Sequence, residues 1–204
     1  MRGVFVTGTD TGIGKTLVSA WLTHHWRAEY WKPLQTGATE DSDSDTVAAL
    51  APGARIHPPA HVFQAPLSPH AAARLEGAAI ALDGLKLPAT DGPLVVEGAG
   101  GILVPLNDTA LTVDWVETLG LPVLVVARSG LGTINHTLLT LEALKRRHVP
   151  ILGVVMNGPP NADNRAAIEH FGGTRVLAEI PPLPEPVRMD TLPPPAFSCP
   201  EVSA

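Results

Sequence analysis

Gly8-Thr9-Asp10-Thr11-Gly12-Ile13-Gly14-Lys15-Thr16 follows the apolar run Val4-Phe5-Val6 and opens a helix-length segment, Lys15 to about Trp26. Strand, glycine-rich turn and helix in this order form a phosphate cradle. Glycines let backbone N–H groups curl around phosphate oxygens, and the helix N-terminus adds partial positive charge. Lys15 is placed to neutralise the outer phosphates of a nucleotide, and the Thr16 hydroxyl to ligate magnesium. The usual spacing, G-x-x-x-x-G-K-[ST], would put its first glycine at Thr9; here Gly8 stands one residue earlier. The competing reading is an ordinary turn with a chance Gly-Lys-Thr, and the flanking strand and helix argue against it. Gly12, Ile13, Gly14, Lys15, Thr16 and Leu17 are the candidate nucleotide contacts.

Outward from this turn, short apolar runs alternate with amphipathic stretches. A brief strand ends at Trp31-Lys32, and helices are expected through Thr46–Leu50 and from His70 to Glu76. Leu94-Val95-Val96 reads as a buried strand, Thr112 to Leu119 as a helix stopped by Gly120, and Pro122 to Ala127 as a strand. A helix from about Thr133 to Arg147, a strand Ile151–Met156, a helix near Ala162 to Phe171 and a strand Arg175–Leu177 follow. This alternation predicts an α/β fold: one doubly wound, mostly parallel sheet with flanking helices, of the P-loop nucleotide-hydrolase type. The expected organisation is a single domain over residues 1–204. Many of the 21 prolines collect in Pro58-Pro59, Pro159-Pro160, Pro181-Pro182 and Pro193-Pro194-Pro195, which read as stiffened loops and, over about 185–204, a proline-rich, poorly structured tail.

The 20 acidic and 14 basic side chains give a net charge of −6, a sign that repels phosphate backbones and disfavours nucleic acid as a partner. The only dense basic run, Lys145-Arg146-Arg147-His148, reads as a cationic helix C-terminus. Cys199 is the sole cysteine, so no intrachain disulfide is expected. No signal-like leader or membrane-length apolar stretch is visible, which predicts a cytoplasmic protein that binds no membrane.

Three further groups carry charge where ligands gather in such sheets, at the carboxyl ends of strands. Glu97 directly follows Leu94-Val95-Val96 and precedes Gly98-Ala99-Gly100-Gly101, so a carboxylate and close-approach backbone adjoin the phosphate loop. Beside such a loop it reads as a magnesium ligand, whereas alone a strand-end glutamate is commonly structural. The run Glu40-Asp41-Ser42-Asp43-Ser44-Asp45 reads mostly as a solvated loop with a helix N-cap. Magnesium needs only one or two protein carboxylates, and composition does not say which aspartate serves. Lys32, in Trp31-Lys32-Pro33-Leu34-Gln35-Thr36-Gly37, would suit chemistry between two anions if aimed at the same edge; most lysines are simply solvated.

Taken together these segments resemble the dethiobiotin synthetase family. The resemblance runs in order through Gly8-Thr9-Asp10-Thr11, Gly14-Lys15-Thr16, Trp31-Lys32-Pro33, Thr36-Gly37, Ser44-Asp45, Ser68-Pro69-His70 and Glu76-Gly77. It continues through Val96 to Gly101, Pro105-Leu106, Asp108-Thr109, Asp114-Trp115, Gly132 to His136 and Asn157. It implies ATP, carbon dioxide and 7,8-diaminononanoate as substrates, with magnesium, and a homodimer whose substrate site lies at the interface. By position, Thr16, Asp45 and Glu97 resemble the magnesium-associated residues, and Lys15 and Lys32 the cationic pair at the reacting groups. Gly98, Ala99 and Gly100 join the nucleotide side, as do Asn157, Ile180, Pro181 and Pro182, where the family recognises adenine. Thr36 resembles the hydroxyl that touches the substrate. Gly132, Thr133 and Asn135 resemble the segment that receives its carboxylate across the interface; without the family they read as an ordinary helix start. The stretch between the first helix and Lys32 is shorter than is usual in the family, which predicts a reduced second strand. A related amide-forming ligase and a partitioning-type nucleotide switch remain as alternatives. The switch would carry an extra lysine early in its phosphate loop, where Thr9-Asp10-Thr11 stands.

Overall fold

The computed structural model describes residues 2–38 and 42–202. Seven strands form one parallel sheet. In chain order they are β1 (Gly3–Gly8), β2 (Glu29–Trp31), β4 (Ile56–His57), β6 (Leu94–Gly101), β7 (Val123–Arg128), β8 (Ile151–Asn157) and β9 (Val176–Ile180). Spatially they run β4-β2-β6-β1-β7-β8-β9. A separate parallel pair joins β3 (Leu34–Gln35) to β5 (His61–Val62). The helices are α1 (Lys15–Trp26), α2 (Asp43–Leu50), α3 (Pro69–Leu75), α4 (Thr112–Leu119), α5 (Thr133–Arg146) and α6 (Ala162–Gly172). None of them is long and apolar enough to cross a membrane.

Alternation along the strands sends side chains to two apolar layers, one on each face. From β1, Val4 and Val6 enter the layer that holds Val18, Leu22, Tyr30 and Val47, whereas Phe5 enters the layer with Trp31, Val96 and Trp115. Trp115 anchors that second layer, edge-on to Phe5 at 5.4 Å and to Trp31 at 6.2 Å between ring centroids. Its indole N–H donates to the Leu85 carbonyl at 2.9 Å, so the one polar atom of a fully buried side chain is satisfied.

The expected strands and helices are present, and two features, β6 and the proline-rich end, depart from expectation. β2 has only three residues, as the short connection predicted. β6 runs on through Glu97 to Gly101, because β1 lies beside it and pairs as far as Gly8 with Gly101. The proline-rich end, expected to be poorly structured, is packed instead. Met189 and Leu192 are buried, and the Trp21 and Trp26 indoles donate to the carbonyls of Pro193 and Phe197 at 2.9 and 3.3 Å. Phe197 meets both indole rings edge-on, and Gly3 N–H donates to the Pro200 carbonyl at 3.1 Å. Proline lacks an N–H but keeps its carbonyl, so such a segment can strap across a helix by accepting from indole donors.

Candidate active site

At the carboxyl edge of the sheet, β1 passes into the phosphate loop between β6 on one side and β7 on the other. Thr9 N–H still donates to the Val126 carbonyl at 3.0 Å, and at Gly8, the last residue of β1, a Cβ would meet Asp10 O and Ile13 Cδ1 at 2.8 Å. That explains the glycine one place early. Gly14 has φ +93° and its missing Cβ leaves room for the Asn157 amide, which donates to the Ile13 carbonyl at 2.9 Å. No side chain caps the start of α1 and no acidic residue sits in its first turn, leaving its N–H groups to an anion.

Beside the loop lies a cavity of about 610 Å³, within the range of small-molecule sites. Lys15, Thr16, Lys32, Thr36, Asp43 and Glu97 line its polar side; Pro66, Leu67, Pro69 and Val104 line its apolar side. The polar groups are interlocked. Lys32 Nζ lies 2.5 Å from Asp43 Oδ2 and 3.0 Å from Glu97 Oε1. Thr16 Oγ1 donates to Asp43 Oδ1 at 2.5 Å and lies 3.2 Å from Glu97 Oε1. Tyr30 donates its phenolic O–H to Glu97 Oε2 at 3.0 Å. Lys15 Nζ donates to the Asp10 carbonyl at 3.3 Å, and the Asp10 carboxylate is paired with Arg128, at the end of β7, at 2.5 Å.

Burial and neighbouring charge set the protonation of these groups. Burial opposes a charged Lys32, but the carboxylates of Glu97 and Asp43 outweigh it and raise its pKa. Burial likewise opposes a charged Asp43, and Lys32 with the Thr16 hydroxyl overrides it, holding the carboxyl below its usual value. Lys15 is pushed the other way, downward, first by burial and then by the Lys32 charge. The site therefore holds two lysines in unlike environments, one neutralised by carboxylates and one facing the phosphate loop.

The hard oxygens of Thr16, Asp43 and Glu97 fit magnesium. Among the described residues no group of three or more His, Cys, Asp and Glu side chains is gathered to hold a metal. A cation here would complete its shell with phosphate and water oxygens, the habit of magnesium and not of zinc.

The structure places the two aspartates of the acidic run differently. Asp45 is exposed, and its Oδ2 accepts from the Ser42 hydroxyl at 2.6 Å while its own N–H donates back to Ser42 Oγ. It belongs to the N-cap of α2; Asp43 takes the place beside Thr16 and Lys32. The sequence held a signal for this. Val47 is the buried residue of α2, and Asp43, four residues before it, shares its face, whereas Asp45, two residues before it, does not. Tyr30 was also missed, although strand alternation puts it on the same face as Lys32. Glu40 and Asp41 lie outside the described residues.

The other expected residues divide by place. Ala99 and Gly100 line the cavity, while Gly98 is buried, where a Cβ would meet the Phe5 ring at 2.8 Å. Ile13 is buried and Leu17 packs into the layer under α1. Asn157 and Ile180 end the adjacent strands β8 and β9, with exposed Pro181 and Pro182 beyond; none of the four lines the Lys32 cavity. Gly132 (φ +90°) and Asn135 are exposed at the start of α5, and Thr133 is buried with its hydroxyl 3.4 Å from that of Thr137. None of these three reaches the cavity of its own chain.

Solved structures with a similar fold include a ParA family ATPase from Chlorobium tepidum (TM-score 0.58, 12% identity, 89% of this chain and 84% of that one). Another is the MinC:MinD cell division complex of Aquifex aeolicus (TM-score 0.55, 13% identity, 91% and 83%). At such identities they speak for the fold alone. A family model described as an AAA domain matches residues 2–189. The ATP-dependent dethiobiotin synthetase BioD of Paramagnetospirillum magneticum is 67% identical over 98% of both chains, and that of Brucella ovis 49% identical over 87% of this chain and 85% of its own. The bifunctional biotin biosynthesis protein BioCD of Bordetella avium is 64% identical over 89% of this chain, which spans 40% of that longer protein. With its phosphate loop, paired lysines and carboxylates in place and this degree of identity over its length, the chain belongs to the ATP-dependent dethiobiotin synthetase family.

Proposed function

We propose that the protein closes the cyclic urea of dethiobiotin from 7,8-diaminononanoate, carbon dioxide and ATP, as a magnesium-dependent, cytoplasmic homodimer. One observation carries the reading: two buried lysines, Lys15 and Lys32, meet Thr16, Asp43 and Glu97 at one cavity beside the phosphate loop.

One substrate amine adds to carbon dioxide, losing a proton to give a carbamate. A carbamate oxygen attacks the γ-phosphorus as the bond to the β-phosphate oxygen breaks, releasing ADP and leaving a carbamic–phosphoric anhydride. The second amine attacks the carbamoyl carbon, expels phosphate and closes the ring.

The physical obstacle is bringing the carbamate up to the phosphate, both anionic. Two like unit charges about 4 Å apart cost about 4 kcal/mol at an effective dielectric near 20. Lys15, in the phosphate loop, and Lys32, held by Asp43 and Glu97, supply positive charge from two sides. Magnesium, held by Thr16, Asp43 and Glu97, would add charge stabilisation on the phosphate oxygens. Thr36 and the apolar wall of Leu67 and Val104 orient the diamine and its hydrocarbon chain. Asn157, Ile180, Pro181 and Pro182 serve the adenine. No protein nucleophile is required, so Cys199 is outside the chemistry.

Leu131 is fully exposed and Leu103 and Leu139 are more than half exposed, an apolar set that supports burial against a second copy. In that arrangement Gly132, Thr133 and Asn135 of one copy receive the substrate carboxylate bound to the other. The test is to incubate the protein with magnesium-ATP, bicarbonate and the diamine, following phosphate release and product mass. Diamine-dependent phosphate with the mass of the cyclic urea bears the reading out. Phosphate release indifferent to the diamine, with no urea, overturns it.

A further inference from the structure

Tyr30 and Lys32 stand two residues apart at the end of β2, so their side chains leave the same face of the sheet. The parallel register pairs Tyr30 with Val95 on β6, which places Glu97, two residues on, across from Lys32. Glu97 is 1% exposed, and a carboxylate so deeply buried is tolerated only if donors surround it. Its two oxygens are used differently. Oε1 takes Lys32 at 3.0 Å and faces Thr16 at 3.2 Å, while Oε2 accepts the Tyr30 hydroxyl at 3.0 Å. Tyr30 itself is fully buried, packed among Val18, Val47 and Val95.

The terminal torsion of glutamate is broad and roughly two-fold. Nothing in the side chain itself holds one oxygen toward the site. A single donor on one oxygen, delivered from a rigid aromatic ring locked in the core, breaks that symmetry. We propose that Tyr30 is a positioning residue: its hydroxyl holds Glu97 so that Oε1 faces the site formed with Thr16 and Asp43. This rests on the reading of Glu97 as a magnesium-associated residue. The role is to orient a ligand from behind, as partners of metal-binding carboxylates do elsewhere.

Tyr30→Phe removes one oxygen and keeps the ring in its packing. The experiment measures binding of Mn2+ together with ADP, by the loss of the free-ion paramagnetic resonance signal. It compares the natural protein, Tyr30→Phe, Glu97→Gln and the double variant. ADP binding in excess chelator and the urea midpoint are read on the same samples. Tyr30→Phe is expected to bind Mn2+ about tenfold more weakly, with metal-free ADP affinity within about twofold, and to add nothing further to Glu97→Gln. Mn2+ affinity at the natural level in Tyr30→Phe overturns the proposal, as does an equal loss of metal-free ADP binding or a fully additive double variant. If Glu97→Gln alone leaves Mn2+ affinity unchanged, the underlying reading of Glu97 fails, and that outcome is distinct from the others.

Discussion

Asp43→Asn and Asp45→Asn are the same chemical change two residues apart in one helix, and the structure predicts opposite outcomes. Asp43 Oδ2 lies 2.5 Å from Lys32 Nζ, and Oδ1 accepts from Thr16 at 2.5 Å. The direct attraction across 2.5 Å is about 7 kcal/mol at an effective dielectric near 20. Desolvation cancels much of it, and the Asp43 side chain is 33% exposed, so solvent screens the remainder. Lys32 also keeps Glu97 when Asp43 loses its charge. The net stability loss is therefore that of one charge-assisted hydrogen bond, about 1.5–3 kcal/mol. The effect on turnover is larger, because one of the oxygens proposed to bind magnesium becomes a neutral amide: about 100-fold in kcat/KM. Asp45→Asn keeps an oxygen for the Ser42 hydroxyl and loses only a favourable charge in the first helical turn, about 0.3–1 kcal/mol, with turnover within about threefold. The assays are urea unfolding and diamine-dependent phosphate release on both variants side by side. Greater damage from Asp45→Asn would refute the reasoning, since it would require α2 to present its other face to the site.

Lys32→Ala should abolish urea formation while ADP affinity, read by calorimetry, changes less than about fivefold, because the proposed nucleotide contacts are Lys15 and the loop N–H groups. Phe197→Ala should lower stability by about 2 kcal/mol, less than a fully buried phenylalanine would cost, since it releases the edge contacts with Trp21 and Trp26; an unchanged urea midpoint would mean the strap contributes nothing. Asp114 Oδ2 accepts the Leu111 N–H at 2.7 Å at the start of α4, and that bond, with Arg147 beside it, holds its carboxyl below the usual 3.8. A depressed carboxyl stabilises the fold above its unfolded-state pKa and stops doing so as pH falls through its folded value. Asp114→Ala should thus cost about 1 kcal/mol at neutral pH, and its stability gap from the natural protein should close below pH 3.8.

Order and spacing along the chain determined the phosphate loop, the strand–helix alternation and the edge where ligands gather. These are local properties. Gly14-Lys15-Thr16 between an apolar strand and a helix reads the same in isolation, whereas the short β2 was expected only by comparison with the family's usual spacing. Which aspartate enters the site was local too, legible in principle from the four-residue step between Asp43 and Val47, but only once Val47 was known to be buried. Tyr30 could not be singled out without the β2–β6 register, since a tyrosine in a core strand says nothing about which buried atom it must satisfy. The proline-rich end is the sharpest contrast. Its composition forbids regular hydrogen bonding, which reads as disorder along the chain, whereas its carbonyls are satisfied by the Trp21 and Trp26 indoles, more than 170 residues away in sequence. Donor and acceptor pairing over that distance is decided by the fold that brings them together, and no stretch of the sequence contains it.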